Sequence, residues 1–247
     1  MKYLIFLLYG LALSLIMARR GVWSPPGSGP KPSGRQIRRV LIIGATGGTG
    51  RQLVEQALER GYEVTAFVRD PARLQVTHPR LRIMRGDVME EASVAAAVEG
   101  QAAVLSALGH RRLWIPSTVQ AGGIRNVIRA MEQHGVRRLV CVTALGLGNS
   151  AGRMGIFGTF LALPVVLPIY FWDKSRQEQL IGASDLEWII VRPGVLTNGA
   201  RRGKYKHGVN LGSYLWPTWS SRADVADFML NQLTDDRYLR TAPAIIW

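Results

Sequence analysis

The residues of this chain best suited to chemistry are the glycines of one short segment, 44–50, which reads GATGGTG. Their G-x-x-G-x-x-G spacing follows an apolar run, 40–43, and precedes a helical pattern, 51–60. Glycines so placed let the chain turn tightly, let the backbone approach a pyrophosphate and let the helix pack against the strand. The helix then directs its N-terminal amides at the phosphates, so the segment predicts a dinucleotide-binding turn. The predicted binding residues are Gly44, Thr46, Gly47, Gly48, Thr49 and Gly50.

The residue after the second predicted strand bears on the choice of cofactor. An acid there usually holds the ribose 2′-hydroxyl of NAD, whereas an arginine pairs with the 2′-phosphate of NADP. This chain has Arg69 and then Asp70, and Arg69 lies 25 residues after Gly44. Its planar guanidinium suits a phosphate, and Arg73 adds a second positive charge, so we expect NADP(H) to be favoured over NAD(H). The alternative is that Arg69 is solvated and that Asp70 only caps the turn at Pro71.

The elements that must position these residues are short apolar runs alternating with helical patterns throughout 38–247. The predicted strands are 40–43, 63–68, 81–85, 103–107, 139–143 and 188–191. The predicted helices are 50–60, 91–99, 118–134, 174–182 and 222–233. Such alternation, with continuous apolar strands, is typical of an α/β fold with a doubly wound parallel sheet. We therefore predict a single domain with the NAD(P)-binding Rossmann fold.

Composition and charge argue against several kinds of site. The single cysteine, Cys141, lies in an apolar strand pattern and is predicted to be a small core residue, and no intrachain disulfide is possible. The four histidines, His78, His110, His134 and His207, have no metal-ligand spacing, so no metal site is expected. The formal net charge is +14, but residues 1–39 supply half of it, with seven basic and no acidic side chains. Membrane topology explains that half better than binding of nucleic acid does.

The first 20 residues are predicted to be a membrane anchor or a signal segment. Residues 3–18 carry no charge, which is slightly short for a spanning helix and long for the apolar core of a signal peptide. Arg19 and Arg20 follow directly, and the positive-inside rule then leaves the folded domain on the cytoplasmic side. We expect an uncleaved anchor; the alternatives are a cleaved secretory signal and an unnatural extension from an upstream start codon. Residues 21–37, rich in proline and glycine, are predicted to be a mobile linker.

A second apolar run, 154–172, has the length of a transmembrane helix but contains Pro164 and Pro168. A span here would divide the predicted sheet between the two sides of a membrane. The region 146–172 is therefore predicted to be a lid over the cofactor, which either dips into a membrane surface or contacts only protein.

Basic residues within 201–206 precede an aromatic cluster of Tyr214, Trp216 and Trp219. Together with the lid they predict an apolar pocket rimmed by cations, suited to a small apolar or anionic substrate. Interleaved basic and aromatic residues also fit single-stranded nucleic acid, but the chain has no nucleic-acid-binding module and we expect no such partner. A hairpin edge decorated with lysines is the plain alternative.

Five motifs in order give the chain a family resemblance: GATGGTG at 44–50, GYEV at 61–64, VRDP at 68–71, GDV at 86–88 and VRPG at 191–194. The chain resembles the atypical short-chain dehydrogenase/reductases, in the branch with NmrA-like proteins and the biliverdin reductase B type of flavin reductase. The resemblance covers 38–247 and implies a Rossmann fold that binds NAD(P). It places Asp87 and Val88 beside the adenine, Ala107, Leu108 and Gly109 along the adenosine, and Thr143 facing the nicotinamide. Asp87 also fits a simpler role as the cap of the following helix.

The resemblance also suggests a role for the Y-x-x-x-K spacing of Tyr170 and Lys174. In related short-chain dehydrogenases such a tyrosine protonates the carbonyl, while the lysine lowers the tyrosine pKa and holds the cofactor ribose. Residues four apart share one face of a helix, so this pair is the candidate catalytic dyad, and Lys174 is also a candidate cofactor-binding residue. Alternatively, Tyr170 is an amphipathic interface residue and Lys174 is an exposed partner of Glu178.

Together these features predict an NAD(P)H-dependent oxidoreductase, tethered to a membrane, that acts on an apolar carbonyl, quinone or flavin-like substrate. The first alternative is a non-catalytic NADP(H)-binding redox sensor or an assembly factor for membrane complexes. The second is an epimerase or dehydratase that keeps its cofactor bound, although we identify no sugar-nucleotide pocket. The sequence predicts no oligomeric state.

Overall fold

The computed structural model describes residues 2–25, 31–109, 118–166 and 168–247. Positions 26–30 of the predicted linker, position 167 of the predicted lid and His110 lie outside the described residues. The strands are β1 (Arg39–Ile43), β2 (Glu63–Val68), β3 (Leu81–Arg85), β4 (Ala103–Ser106), β5 (Arg138–Val142), β6 (Glu187–Pro193), β7 (Val195–Thr197), β8 (Lys206–Gly208), β9 (Trp219–Ser221) and β10 (Ala244–Ile246). The α-helices are α1 (Lys2–Arg20), α2 (Gly48–Glu59), α3 (Glu91–Val98), α4 (Val119–Gln133), α5 (Gly155–Phe157), α6 (Pro168–Gly182) and α7 (Arg222–Asn231). Short 3₁₀ helices cover Pro71–Arg73 and Gly148–Ser150, and a π-helical segment covers Gly158–Val166.

Eight of the strands form one sheet in the order β3-β2-β1-β4-β5-β6-β10-β8, and β7 pairs with β9 separately. From β3 to β10 all neighbours in this sheet are parallel, and β8 is antiparallel to β10. The order of the first six strands is that of the Rossmann fold, with its reversal between β1 and β4. The predicted α/β fold with a doubly wound parallel sheet is confirmed.

The sheet is buried on both faces, as the continuous apolar runs predict. Successive side chains of a strand point to opposite faces. In β1, Val40 and Ile42 accordingly pack in one core with residues of α2 and α7, whereas Leu41 and Ile43 pack in a second core with residues of α3 and α4. The register of β1 with both neighbours, Ile43 opposite Phe67 and Ser106, brings the carboxyl ends of β2, β1 and β4 to one edge.

The N-terminal helix α1 packs against the domain. It contacts the π-helical segment, α6 and the 3₁₀ helix at 148–150. Within the described ranges, no single helix is both long and apolar enough to cross a membrane, so the predicted transmembrane span is not supported. One pair, Gly155–Leu163 with Pro168–Gly182, reaches that length and apolarity only together, and the two helices are bent by 101°.

The described parts of the predicted linker, 21–25 and 31–37, are attached to the domain. Ser24 Oγ accepts a hydrogen bond from the Ala242 amide at 2.8 Å. Farther along, the Ser33 amide donates to the Thr234 carbonyl at 2.9 Å, and Arg35 forms an ion pair with Glu187. The described parts of the segment thus have partners that are distant in sequence, and the mobility of the linker stays a prediction.

Candidate functional site

The glycine turn leaves the carboxyl end of β1 where the strand order reverses, the position at which doubly wound sheets bind ligands. Gly44 has φ +81°, in the left-handed region that favours glycine. A Cβ on Gly44 would stand 2.6 Å from the Ala107 carbonyl oxygen, and a Cβ on Gly50 would overlap the Gly44 carbonyl. The turn therefore brings β1, α2 and the end of β4 closer together than any side chain at these two positions would allow.

The N-terminus of α2 is built to accept an anion. Its N-cap is Gly47, which has no side chain to bond the first amides of the helix. The Gly47 amide itself donates to the Gly44 carbonyl at 2.9 Å, which closes the turn. The remaining first-turn amides and the positive end of the helix dipole suit a pyrophosphate, so the residues present fit a dinucleotide.

An arginine that sequence reasoning missed lies beside this turn. The side chain of Arg222, the first residue of α7, passes over Gly48: a Cβ on Gly48 would stand 2.5 Å from Arg222 Cδ and 2.7 Å from its Nε. Arg222 Nη1 donates to Asn198 Oδ1 at 2.6 Å. No spacing relates Arg222 to the glycine segment in the sequence, because only the packing of α7 on α2 brings them together.

Arg69 is exposed just beyond the carboxyl end of β2, next to β1 and at the same edge of the sheet as the turn. Asp70 caps the following 3₁₀ helix, accepting from the Ala72 amide at 3.2 Å. Arg51 Nη2 donates to the Arg73 carbonyl at 2.9 Å and so joins α2 to that helix. The cap predicted for Asp70 is present, and it leaves the Arg69 guanidinium in solvent near the turn.

The positions that the family resemblance implied have these partners. Asp87 Oδ1 accepts from the Met89 amide at 2.9 Å, ahead of α3, while Val88 is buried in the core. The Leu108 carbonyl, in the segment after β4, accepts from Lys174 Nζ at 3.1 Å. The adjacent Gly109 has open space where a Cβ would lie. Asp87 thus bonds locally, and the predicted adenine and adenosine contacts of these residues stay predictions.

Lys174 is buried rather than exposed, so its interpretation as a surface partner of Glu178 is wrong. It is 1% exposed, and its Nζ donates to the carbonyls of Leu108 and Val142 and to Gln177 Oε1, each at 3.1 Å. Those three acceptors match the three protons of an ammonium group. Burial lowers the pKa of Lys174 to about 8, although nearby Cys141 and acidic groups oppose that shift. Lys174 therefore ties together the ends of β4 and β5.

Tyr170 is half-buried on the same helix, and Lys174 Nζ lies 5.9 Å from the centre of its ring. Burial, reinforced by the charge of Asp173, raises the pKa of Tyr170 to about 12. Asp173 in turn accepts from the amides of Gln120 and Ala121 at the start of α4, both at 3.2 Å. The two predicted catalytic residues are thus close, but the pKa of the tyrosine is raised, whereas the predicted dyad requires it to be lowered.

A fully buried ion pair joins the N-terminal segment to the ends of β5 and β6. Arg192 donates to Glu178 at 2.6 Å and 3.0 Å, with both side chains 0% exposed. Thr143 Oγ1 donates to Glu178 at 2.8 Å, so the hydroxyl predicted to face the nicotinamide has a protein partner. The Val22 amide donates to Glu178 at 3.0 Å, and the Val22 carbonyl accepts from Arg192 at 2.8 Å. The sequence signalled this site only through the VRPG motif.

The lid and the aromatic cluster are in contact. The Gly155 amide donates to the Ser213 carbonyl at 2.7 Å, and a Cβ on Gly155 would stand 2.6 Å from the Trp216 carbonyl carbon. Arg153 lies over the Tyr214 ring with its Cζ 4.9 Å from the ring centre. Within the described ranges, no group of three or more His, Cys, Asp and Glu side chains is arranged to hold a metal ion.

Comparison with known proteins agrees with this geometry. A family model described as NAD(P)H-binding matches residues 44–236. An uncharacterised chloroplastic protein of Arabidopsis thaliana is 33% identical over 176 residues, covering 68% of this chain and 62% of that protein. A Mycobacterium tuberculosis protein named 3β-hydroxysteroid dehydrogenase/Δ5→4-isomerase is 32% identical over 132 residues, covering 47% and 35% respectively. The chain thus spans less than two thirds of either relative.

Among solved structures, a short-chain dehydrogenase/reductase of Veillonella parvula in complex with NADP superposes with a TM-score of 0.70. The match covers 85% of this chain and 94% of that one, at 17% identity. At that identity the likeness shows the fold alone.

Proposed function

The chain belongs to the NAD(P)H-binding family, and from that premise we propose that it is an NADP(H)-dependent oxidoreductase acting on an apolar carbonyl, quinone or flavin-like substrate. The observation that carries the proposal is the glycine turn at the carboxyl end of β1, where the strand order reverses and the first amides of α2 have no side-chain cap. The chain resembles oxidoreductases of the short-chain dehydrogenase or epimerase type, as its relatives do.

In this proposal the pyrophosphate is held by the first-turn amides of α2 and by Arg222, whose side chain already lies over Gly48. Arg69 binds the 2′-phosphate of NADP, because it is an exposed cation one strand away at the same edge. When bound, the nicotinamide supplies the hydride. The protein must then orient the substrate, exclude water and deliver a proton.

Tyr170 remains the candidate proton donor. With its pKa raised to about 12 it keeps its proton at neutral pH, but it is a weak general acid. Lys174 contributes by holding the segment after β4 against β5 rather than by acidifying the tyrosine, since its three donors are already engaged. Lys174 is in this proposal a positioning residue.

The substrate side is formed by the lid and the segment 211–219, which carries the predicted aromatic cluster. Their backbone contact between Gly155 and Ser213 supports one continuous apolar wall. We also propose that residues 1–20 hold the domain at a membrane on its cytoplasmic side, since Arg19 and Arg20 end the apolar helix.

A second candidate function is a non-catalytic NADP(H) sensor or assembly factor. The observation that favours it is the raised pKa of Tyr170, together with a lysine whose donors are all taken by protein acceptors. A protein of this kind binds the cofactor as tightly as an enzyme does but needs no proton donor.

The test is calorimetric binding of NADPH and NADH to the full chain, to Arg69→Ala and to Arg129→Ala. Arg129 is the matched control, since it is an exposed arginine on α4. We expect Arg69→Ala to weaken NADPH binding about 10- to 100-fold, the loss of one charge-assisted contact of about 1.5–3 kcal/mol, and to leave NADH binding unchanged. Equal weakening of both nucleotides would refute the role of Arg69, and failure of either nucleotide to bind would refute the proposal.

Tyr170→Phe then separates the two candidate functions, with Tyr62→Phe as the control, because Tyr62 is half-buried directly before β2, at the amino ends of the strands. Consumption of NADPH with a quinone, an aromatic aldehyde and a flavin is followed by absorbance. Turnover that falls at least tenfold in Tyr170→Phe alone supports the enzyme with a tyrosine donor. Turnover unaffected by the change supports an enzyme that needs no protein proton donor, and the lack of turnover in the wild type supports the sensor.

A further inference from the structure

From Leu8 onward, helix α1 exposes most of its large apolar side chains, whereas a helix of a water-soluble protein usually buries them. Its buried positions are Gly10, Ser14 and Met17, which share one face. The face turned away from the domain carries Leu8, Leu11, Leu15 and Ile16, which are 44–58% exposed. A helix packed on a core normally buries its large apolar side chains and presents polar ones to water.

The contacts on the buried side explain this orientation. A Cβ on Gly10 would stand 2.8 Å from the Phe160 ring, so only glycine allows the helices to approach this closely. At the other end of α1, Arg20 Nε donates to Ser175 Oγ at 3.0 Å, and its guanidinium stacks 3.8 Å from the Trp172 ring centre. Gly10, Ser14, Met17 and Arg20 therefore fix α1 against the domain. Leu8, Leu11 and Leu15 are left outward.

The exposed leucines of α1 continue into two further apolar segments. Ile156, Phe157 and Leu161 are exposed on the lid, and Tyr214, Leu215 and Trp216 are 60–74% exposed on the adjoining loop. Among the described residues, all but two of the exposed large hydrophobic side chains belong to the segments 1–25, 146–172 and 195–222. A patch of this kind is rare on a soluble monomer and marks an interaction surface. We call the exposed apolar side chains of α1, the lid and the loop 211–216 the apolar face.

The charges of the same three segments identify the partner. The segments that form the apolar face, 1–25, 146–172 and 211–216, contain four Lys and Arg residues and no Asp or Glu. Arg19 lies on the outer face of α1, Arg153 lies beside Tyr214, and Arg176 shares an exposed side of α6 with Ile169 and Trp172. Apolar side chains flanked only by cations match a membrane surface that contains anionic lipid. A second copy of the chain would bring the same cations against each other, so self-association is disfavoured.

We propose that the apolar face docks the domain on the surface of a bilayer containing anionic lipid, with α1 lying along that surface as part of the folded domain. The inference rests on the proposed membrane role of residues 1–20 and deepens it, because the lid and the loop 211–216 share the contact. The lid of the proposed substrate site then lies against the bilayer, from which an apolar substrate reaches it.

The experiment is co-sedimentation of the full chain with vesicles of phosphatidylcholine alone and of phosphatidylcholine with phosphatidylglycerol. The loop variant is L215S/W216S, and the matched control is I83S/M89S, which changes two exposed hydrophobic residues outside the face. We expect at least tenfold tighter binding to the anionic vesicles, and a loss of tenfold or more in L215S/W216S only. Because all four side chains are exposed, the variants should fold.

Three outcomes would overturn the inference. Binding that L215S/W216S leaves intact but L11S/L15S abolishes would reduce the contact to a simple helical anchor. Equal binding to both kinds of vesicle would remove the role of the cations. Concentration-dependent dimers that fail to bind vesicles would assign the face to a second copy. NADPH binding by the same variants is measured by calorimetry and is expected to be unchanged. If vesicle binding fails while NADPH binding persists, only the docking surface is refuted; if NADPH does not bind, the proposed function fails.

Discussion

Replacing Glu178 by Gln is the most informative test of how the N-terminal segment and the domain are joined. Among the residues that the structure describes, the carboxylate is the only acidic partner of Arg192, and both side chains are completely buried. The remaining acceptors of Arg192 are neutral, namely Asn149 Oδ1 at 2.9 Å and the Val22 carbonyl at 2.8 Å. Removing the negative charge therefore leaves a cation in the interior with only neutral hydrogen-bond partners.

The expected loss of unfolding free energy is about 3–5 kcal/mol, the usual cost of breaking a buried pair by removing one partner. The double variant E178L/R192M removes both charges. Its loss of unfolding free energy should be smaller than the sum of the losses in the single variants E178L and R192M, by more than about 2 kcal/mol. The exposed pair of Arg129 and Glu91, with side chains 58% and 60% exposed, supplies the control: Glu91→Gln should cost less than about 1 kcal/mol.

The assay is urea denaturation of the full chain followed by far-ultraviolet circular dichroism, with the same slope fitted to all variants. A loss for Glu178→Gln no larger than that for Glu91→Gln would refute the reasoning, since it would mean that water reaches the pair. Additive losses in the double variant would show that the two charges do not interact as the geometry requires.

Three further predictions concern the site. Gly50→Ala should weaken NADPH binding at least tenfold in calorimetry, because the new Cβ would overlap the Gly44 carbonyl and push α2 from the turn; unchanged affinity would contradict the close approach. The Cys141 thiol should not react with a disulfide reagent at pH 8 until denaturant is added, since burial raises its pKa to about 11. Lys174→Met should lose stability relative to the wild type as pH rises from 8 to 10.5. The pKa of Lys174 is lowered from 10.5 in the unfolded chain to about 8 in the folded protein, so between these pH values only the unfolded chain keeps the proton. The unfolding free energy of the wild type, measured by urea denaturation, should therefore rise by up to about 3 kcal/mol over this range.

Much of the fold was predictable because local sequence patterns specify its strands and helices. The apolar runs that became β1 to β6 alternate with helices, and that alternation restricts the chain to a parallel sheet with right-handed crossovers. The glycine turn was equally accessible, since strand, turn and helix are consecutive in sequence and Gly44 needs its positive φ whatever surrounds it. The cap at Asp70 is another contact between near neighbours.

The sequence by itself therefore determined the parallel sheet, the glycine turn and the position of that turn at the carboxyl end of β1. Only the tertiary structure decided that Arg222 lies over Gly48, that Lys174 is buried on three acceptors, and that Val22 completes the pair of Arg192 and Glu178. It also decided that α1 buries Gly10, Ser14 and Met17 and exposes Leu8, Leu11 and Leu15, because an apolar helix has no polar stripe to fix its orientation. Contacts between separate elements depend on how whole elements pack, and no local spacing encodes that.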